Sequence, residues 1–215
     1  MAPILYLSSL SPPSRAVLIT GQALNLELEL RNVDLSKGEH RTPEYIKLNP
    51  LHAVPTLDDD GTIITDSHAI NAYLVSKYAP EDSLYPQDIV KRALVDQRLH
   101  FDTGILFNHF RNTAAPLFYR KSKEVSQEQK NRVLEAYKFV EIFLENSQWV
   151  AGDEVTIADF SIGSTILALN LLVPLDVSAF PKTDSWIKRF QGLEYTKVNE
   201  VGLQELKKVI EKCMA

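Results

Sequence analysis

Four serines stand within seven positions, Ser8, Ser9, Ser11 and Ser14, beside the consecutive prolines Pro12 and Pro13 and ahead of Arg15. A serine in such a place can close a turn, cap a helix, or donate its proton to an anion held at a helix mouth. Free N–H groups and the helix dipole favour negative charge there. Covalent attack by the hydroxyl would need a histidine and a carboxylate placed to activate it, and none is so placed. The prolines separate the serines. Proline disfavours helical backbone in the residue before it, which predicts Ser11 and Pro12 extended and Pro13 at the first helical position. Ser14 then enters the helix, Ser8 ends the preceding strand, and the loop serines remain as chemical candidates. Spacing alone does not choose between Ser9 and Ser11.

The surrounding elements are those that would hold such a turn. Residues 3–7 form a short apolar run that reads as a buried strand. A helix follows from the prolines, and residues 26–33 alternate apolar and charged side chains, as a half-buried strand does. Strand, helix and strand make a βαβ unit with a parallel pair. A short helix is predicted near Thr42, with Pro43 in its first turn. Two strands joined at Gly61 span 53–66 as a hairpin. Asp66 or Ser67 caps the next helix, whose stripe is Ile70, Tyr73, Leu74 and Tyr78. Residues 80–88 are polar, contain Pro80 and Pro86, and read as a linker. Beyond them every periodic segment is helical, and Thr156 with Asp159 has capping-box spacing.

Composition narrows the function classes. The chain has 215 residues, 45% hydrophobic and 24% charged, which is ordinary for a globular protein with a core of its own. A net charge of -5 argues against nucleic acid, which needs a basic footprint. The single cysteine, Cys213, suits a reducing compartment and reads as part of a frayed tail rather than a catalytic thiol. The opening residues lack the pattern of a signal peptide. The most apolar run, 160–173, is too short to span a bilayer and reads as a core helix.

Three strings carry a family resemblance, in the right order along nearly the whole chain. "NPLHAVPTLDDDGTIITDSHAI" (49–70) resembles the glutathione-binding core of the cytosolic glutathione transferases, with its VP dipeptide and its acidic-Ser pair at a helix start. "SPPSR" resembles the active-site turn of the serine-type insect members. "VAGDEVTIADFS" (150–161) resembles the capping motif of the family's helical domain. "SPPSRAV", "KGEH" and "DSHAI" are most similar to the epsilon class; the delta class usually has arginine where His68 stands. The resemblance implies an α/β plus all-α chain of glutathione transferase fold. A thioredoxin-like βαβαββα domain would span 1–80, a linker 81–88, and an all-helical domain with the hydrophobic-substrate pocket 89–215. The implied activity is conjugation of the thiolate of reduced glutathione to hydrophobic electrophiles in detoxification, by a cytoplasmic homodimer without metal, nucleic acid or membrane. The alternative is a non-catalytic ligand carrier or interaction module, which has no need of an intact glutathione set. A thioredoxin-like redox role fails for want of a CxxC.

The resemblance also implies roles. It places the active serine directly before the proline pair, at Ser11. A thiol of pKa about 8.5 needs help to ionise. A hydrogen bond to the charged sulfur contributes roughly 1.5–3 kcal/mol, lowering that pKa by about one to two units. Ala53, Val54 and Pro55 would take the cysteinyl part, with Val54–Pro55 cis and Val54 pairing like an added strand. Asp66 would take the γ-glutamyl ammonium and Ser67 the adjacent carboxylate, with His68 contributing position. His40 and His52 would meet the glycyl carboxylate, and Arg111 would face the cleft near the glycyl end and the electrophile. Leu35, Phe107, Phe110, Phe118, Tyr119 and Leu206 would join Arg111 in the pocket, although aromatic groups at helical spacing more often form core.

Overall fold

The chain begins with β1 (Ile4–Leu7), α1 (Pro12–Ala23) and β2 (Glu29–Asn32); the computed structural model describes residues 2–119 and 121–215. A 3-10 turn, α2 (Pro43–Leu48), β3 (Thr56–Asp59), β4 (Thr62–Thr65) and α3 (Ser67–Tyr78) follow. The strand order is β2-β1-β3-β4, with β1 parallel to β2 and antiparallel to β3. Ile4 pairs with Glu29 on one side and with Asp58 on the other. This is the βαβ unit plus hairpin expected of a thioredoxin-like half.

Two local expectations are corrected. Pro12, not Pro13, opens α1, and only Ser11 stays extended, at φ -86 and ψ 117. The first N–H groups of a helix have no intrahelical acceptor, so prolines at its first two positions forfeit no bond. The second strand covers only Glu29–Asn32, and all four residues are exposed. It is one of the two edge strands of the sheet; Leu26 and Leu28 just before it supply the packing.

From α4 onward the structure is helical. α4 (Ile89–Phe101) runs through a π-helical turn (Asp102–Leu106) into α5 (Phe107–Phe118). Then come α6 (Gln127–Phe143), α7 (Ile157–Asn170), α8 (Pro181–Gln191) and α9 (Val198–Met214). α7 is buried on every side from Ile157 to Leu169, which makes it the central helix of this half. Asp159 secures its start, accepting from the Thr156 N–H at 2.9 Å, the Val150 N–H at 3.0 Å and the Trp186 indole at 3.0 Å. Cys213 is not in a frayed tail; it lies within α9, partly buried against the helical core.

The two halves share apolar packing. Leu5, Leu7, Val17, Leu57, Ile70 and Leu74 form a small cluster between sheet and helices. Ile19 of α1 and Val75 of α3 belong instead to the large cluster centred on α7. The segment between α3 and α4 is tied down as well, since the Ile157 N–H bonds the Leu84 carbonyl at 3.0 Å. Among the described residues, no helix is long and apolar enough to cross a membrane.

Candidate functional site

The turn from β1 into α1 gives the four serines different surroundings. The Ser11 N–H donates to the Ser8 carbonyl at 3.0 Å and closes the turn. Ser11 is the N-cap of α1, its Oγ accepting from the Ser14 N–H at 3.4 Å. Ser14 is fully buried, and its Oγ accepts from the Ser8 N–H at 3.4 Å. The Ser9 hydroxyl donates to Glu205 Oε2 at 2.5 Å. Ser11 is half-buried, and its hydroxyl donates to no protein acceptor among the described residues. Its proton therefore points to use outside the turn, at a helix mouth that favours an anion.

Arg15 lies beneath this turn with no exposed surface. Its Nε donates to Asn199 Oδ1 at 2.7 Å and its Nη1 to the Ser9 carbonyl at 2.9 Å, while Nη2 is buried without a partner among the described residues. No carboxylate forms an ion pair with it among the described residues. Burial lowers its pKa to about 10, which still leaves it charged at neutral pH. A positive charge without a counter-ion thus sits one helical turn behind Ser11.

The loop before β3 brings the two candidate histidines together. The rings of His40 and His52 lie 6.4 Å apart. His40 is half-buried, with Nδ1 unpartnered among the described residues, and its pKa is lowered by burial first and by Arg41 and His52 next. His52 is exposed and has a φ of 43. Next to it the Ala53 carbonyl accepts from Tyr45 Oη at 2.7 Å and from Asn49 Nδ2 at 2.9 Å. Asn49 also donates to Thr56 Oγ1 at 2.8 Å. This network fixes both ends of the Val54–Pro55 segment. The Val54–Pro55 bond is cis. Val54 is half-buried and takes part in no turn, loop or cap hydrogen bond among the described residues, so its backbone groups are available to an extended ligand.

At the start of α3, Asp66 is the cap, in the left-handed φ range at 72. Its Oδ1 accepts from the His68 N–H at 2.8 Å and from the Ala69 N–H at 3.3 Å, while Oδ2 makes no bond among the described residues. Ser67 is the first helical residue and is largely buried. The His68 ring is held at both nitrogens: Nε2 lies 3.0 Å from Asp102 Oδ2, and Nδ1 3.0 Å from Thr103 Oγ1. Both partners belong to the π-helical turn, a feature that recurs at functional sites. Asp102 is buried, and its Oδ1 has no partner among the described residues. The sequence reading missed this pair. The only signal was an aspartate inside an otherwise amphipathic helical run, followed by Thr103 and Gly104.

The candidate pocket residues divide. Leu35 and Phe107 are half-buried; Phe107 stacks on Phe110 with ring centroids 6.0 Å apart. Arg111, Phe118 and Tyr119 are exposed at the surface, and Arg111 forms no ion pair among the described residues. Leu206 is 0% and Phe110 6% exposed, and both belong to the helical core cluster. Their apolar spacing served packing between α5, α7 and α9, which periodicity does not distinguish from a pocket lining. Among the described residues, no group of three or more His, Cys, Asp or Glu is placed to hold a metal ion.

Known proteins resemble this chain in both halves. Residues 5–82 match the family model of the glutathione S-transferase N-terminal domain, and residues 94–194 match that of the C-terminal domain. Over 205 residues the chain is 43% identical to glutathione S-transferase 1 of Manduca sexta, spanning 94% of each. It is similar to the structure of an epsilon-class glutathione S-transferase from the housefly, Musca domestica, at 47% identity and a TM-score of 0.96, over 98% of each chain. It is also similar to a glutathione transferase homolog from Drosophila mojavensis solved with bound glutathione. There the identity is 45% and the TM-score 0.95, over 98% of this chain and 96% of that one.

Proposed function

Because the chain belongs to the glutathione S-transferase family, with epsilon-class members among its structural neighbours, we propose that it is a serine-type enzyme whose thiolate-stabilising group is Ser11. It is a glutathione transferase: the sulfur of reduced glutathione attacks an apolar electrophile. On this reading the extended cysteinyl unit pairs with Val54 between Ala53 and Pro55. Asp66 Oδ2 accepts the γ-glutamyl ammonium, Ser67 takes the neighbouring carboxylate, and His68 holds the α3 end in place. His40 and His52 face the glycyl carboxylate. The thiol proton leaves to solvent, the Ser11 hydroxyl donates to the sulfur, and the electrophile rests against Leu35, Phe107 and Arg111, with Phe118 and Tyr119 at the rim. We also read the chain as a thioredoxin-like unit over 1–80, a linker over 81–88 and a helical unit over 89–215, acting as a cytoplasmic homodimer. Exposed Ile89 and Val90 on α4 support an apolar contact with a second copy.

The observation that carries the assignment is the state of the serine hydroxyls. Ser9 donates to Glu205 and Ser14 is sealed in the core, whereas Ser11 uses its oxygen as a cap acceptor and keeps its proton. Losing one hydrogen bond to a charged sulfur costs roughly 1.5–3 kcal/mol, or about 10- to 150-fold in rate. Ser11→Ala is therefore expected to lose that factor in conjugation of chlorodinitrobenzene while still binding glutathione resin, with Ser9→Ala far less affected. Full activity in Ser11→Ala removes Ser11 from the mechanism.

A further inference from the structure

Asn199, Gly202 and Glu205 are spaced three apart, so they share one face of α9, and all three meet the chain between Ser9 and Arg15. Asn199 accepts from Arg15 Nε at 2.7 Å. Glu205 accepts from the Ser9 hydroxyl at 2.5 Å. Gly202 lets the helix come close: a Cβ there would lie 2.4 Å from the Ser9 carbonyl oxygen and 2.8 Å from Arg15 Cδ. Arg15 completes the connection by donating to that same Ser9 carbonyl at 2.9 Å. A buried cation without a carboxylate partner is a costly core residue. What it supplies here is a rigid fork of donors that ties Ser9 to α9.

We propose that this face of α9 is a positioning element for the Ser11 hydroxyl, acting through Arg15 and Ser9. The proposal rests on the reading of Ser11 as the donor to sulfur. Ser8 and Ser11 are joined across the turn by the bond from the Ser11 N–H to the Ser8 carbonyl, and Ser9 lies inside that turn. Holding Ser9 by both its carbonyl and its hydroxyl fixes the turn against α1 and so fixes where the Ser11 proton points. The segments that grip the rest of glutathione, 52–55 and 66–68, lie outside this connection. Loosening α9 should therefore weaken stabilisation of the thiolate far more than binding of the tripeptide.

The test is the pKa of the bound glutathione thiol, read from thiolate ultraviolet absorbance against pH, together with the pH profile of chlorodinitrobenzene conjugation and the KM for glutathione. Gly202→Ala, Asn199→Leu and Glu205→Ala are each expected to raise that pKa by about half to one unit, with about a three- to tenfold loss of rate below it. The KM for glutathione should stay within about twofold, since mispositioning acts on the ionised state and not on uniform binding. Glu205→Gln keeps an acceptor for Ser9 and should restore the parent profile. Gln204→Ala, exposed on the opposite face of α9, should leave it unchanged. Thermal melts establish that each variant is folded; if Gly202→Ala is not, Glu205→Ala decides, because it trims an exposed side chain. Folded α9 variants with the parent thiol pKa, alongside a raised pKa in Ser11→Ala, overturn the proposal. An unchanged pKa in Ser11→Ala itself rejects the reading of Ser11 instead.

Discussion

Replacing Asp159 with alanine should destabilise the helical half and, through α7, the helix that carries Ser11. The carboxylate accepts four bonds: Oδ1 from the Val150 N–H and the Trp186 indole, and Oδ2 from the Thr156 N–H and hydroxyl. The Thr156 hydroxyl can rotate to another acceptor. The three N–H groups cannot, and a buried donor left without an acceptor costs about 1–3 kcal/mol, so together they cost about 6 kcal/mol. The substitution also brings relief. Burial pushes the Asp159 carboxyl up to about 6 from 3.8, against the pull of its four donors. Those roughly two units amount to about 3 kcal/mol of destabilisation at neutral pH, removed in the variant. The net loss near neutrality is about 3 kcal/mol, a drop of about 6–12 °C in melting temperature for a chain of this size.

The pH dependence gives a second, signed check on Asp159. With the folded pKa above the unfolded one, the folded state holds more protons between the two values, and this group's contribution falls as pH rises through that window. The parent protein gains from protonation at acid pH and the alanine variant does not, so the variant's deficit should be about 1 kcal/mol larger near pH 5 than near pH 7.5. Urea unfolding of both proteins at the two pH values measures it. A loss under about 1 kcal/mol at neutral pH, or a deficit that grows with pH, would refute the account.

Asp59 should behave in the opposite sense. Burial raises its pKa, but Lys77 Nζ, Tyr73 Oη and Tyr78 Oη, each donating at 2.7 Å to Oδ2, outweigh that and hold it below 3.8. A depressed carboxyl contributes stability above its unfolded value and loses it as pH falls through the folded value. Asp59→Asn should thus be less stable than the parent at neutral pH and converge with it in strong acid, as urea midpoints across the acid range will show. Tyr45→Phe removes one of the two principal donors that hold the Ala53 carbonyl and leaves Asn49 in place. One net hydrogen bond of about 0.5–1.5 kcal/mol corresponds to about a three- to tenfold rise in the KM for glutathione, with kcat little changed; steady-state kinetics with glutathione varied will check it.

The layout of the fold could be read from the sequence because it rests on short-range patterns. The hairpin turn at Gly61, the cap at the start of α3 and the Thr156–Asp159 spacing each describe an element within a few residues, and each element is present. What the sequence hid depends on contacts across long separations. His68 meets Asp102 and Thr103 across 34 and 35 positions, and Arg15 meets Asn199 across 184. Nothing near Asn199 or Gly202 marks them as neighbours of Ser9. At Leu206 and Phe110, likewise, helical periodicity gives the buried face without saying whether that face meets core or cleft.

The difficulty over Ser11 and Asp66, where a cap and a ligand group look identical in sequence, has a physical cause. A helix start leaves several N–H donors unpaired, and a capping side chain satisfies some of them with one oxygen. Ser11 spends its lone pair on the Ser14 N–H and retains its proton; Asp66 spends Oδ1 on the His68 and Ala69 N–H groups and retains Oδ2. In both cases capping uses part of the side chain, aims the remainder past the end of the helix, and holds it in one rotamer. The cap is therefore what makes the outward group a good ligand: the entropy of ordering it is already spent in folding, before any ligand arrives. This predicts that Asp66→Asn, which keeps the Oδ1 cap and removes the outward carboxylate oxygen, and Ser11→Gly, which loses the side chain at a cap position where glycine costs only a few tenths of a kcal/mol, should cost little in melting temperature and much in conjugation rate or glutathione KM. A melting loss as large as that of alanine at the same site, with kinetics intact, would show that these residues are caps and nothing more.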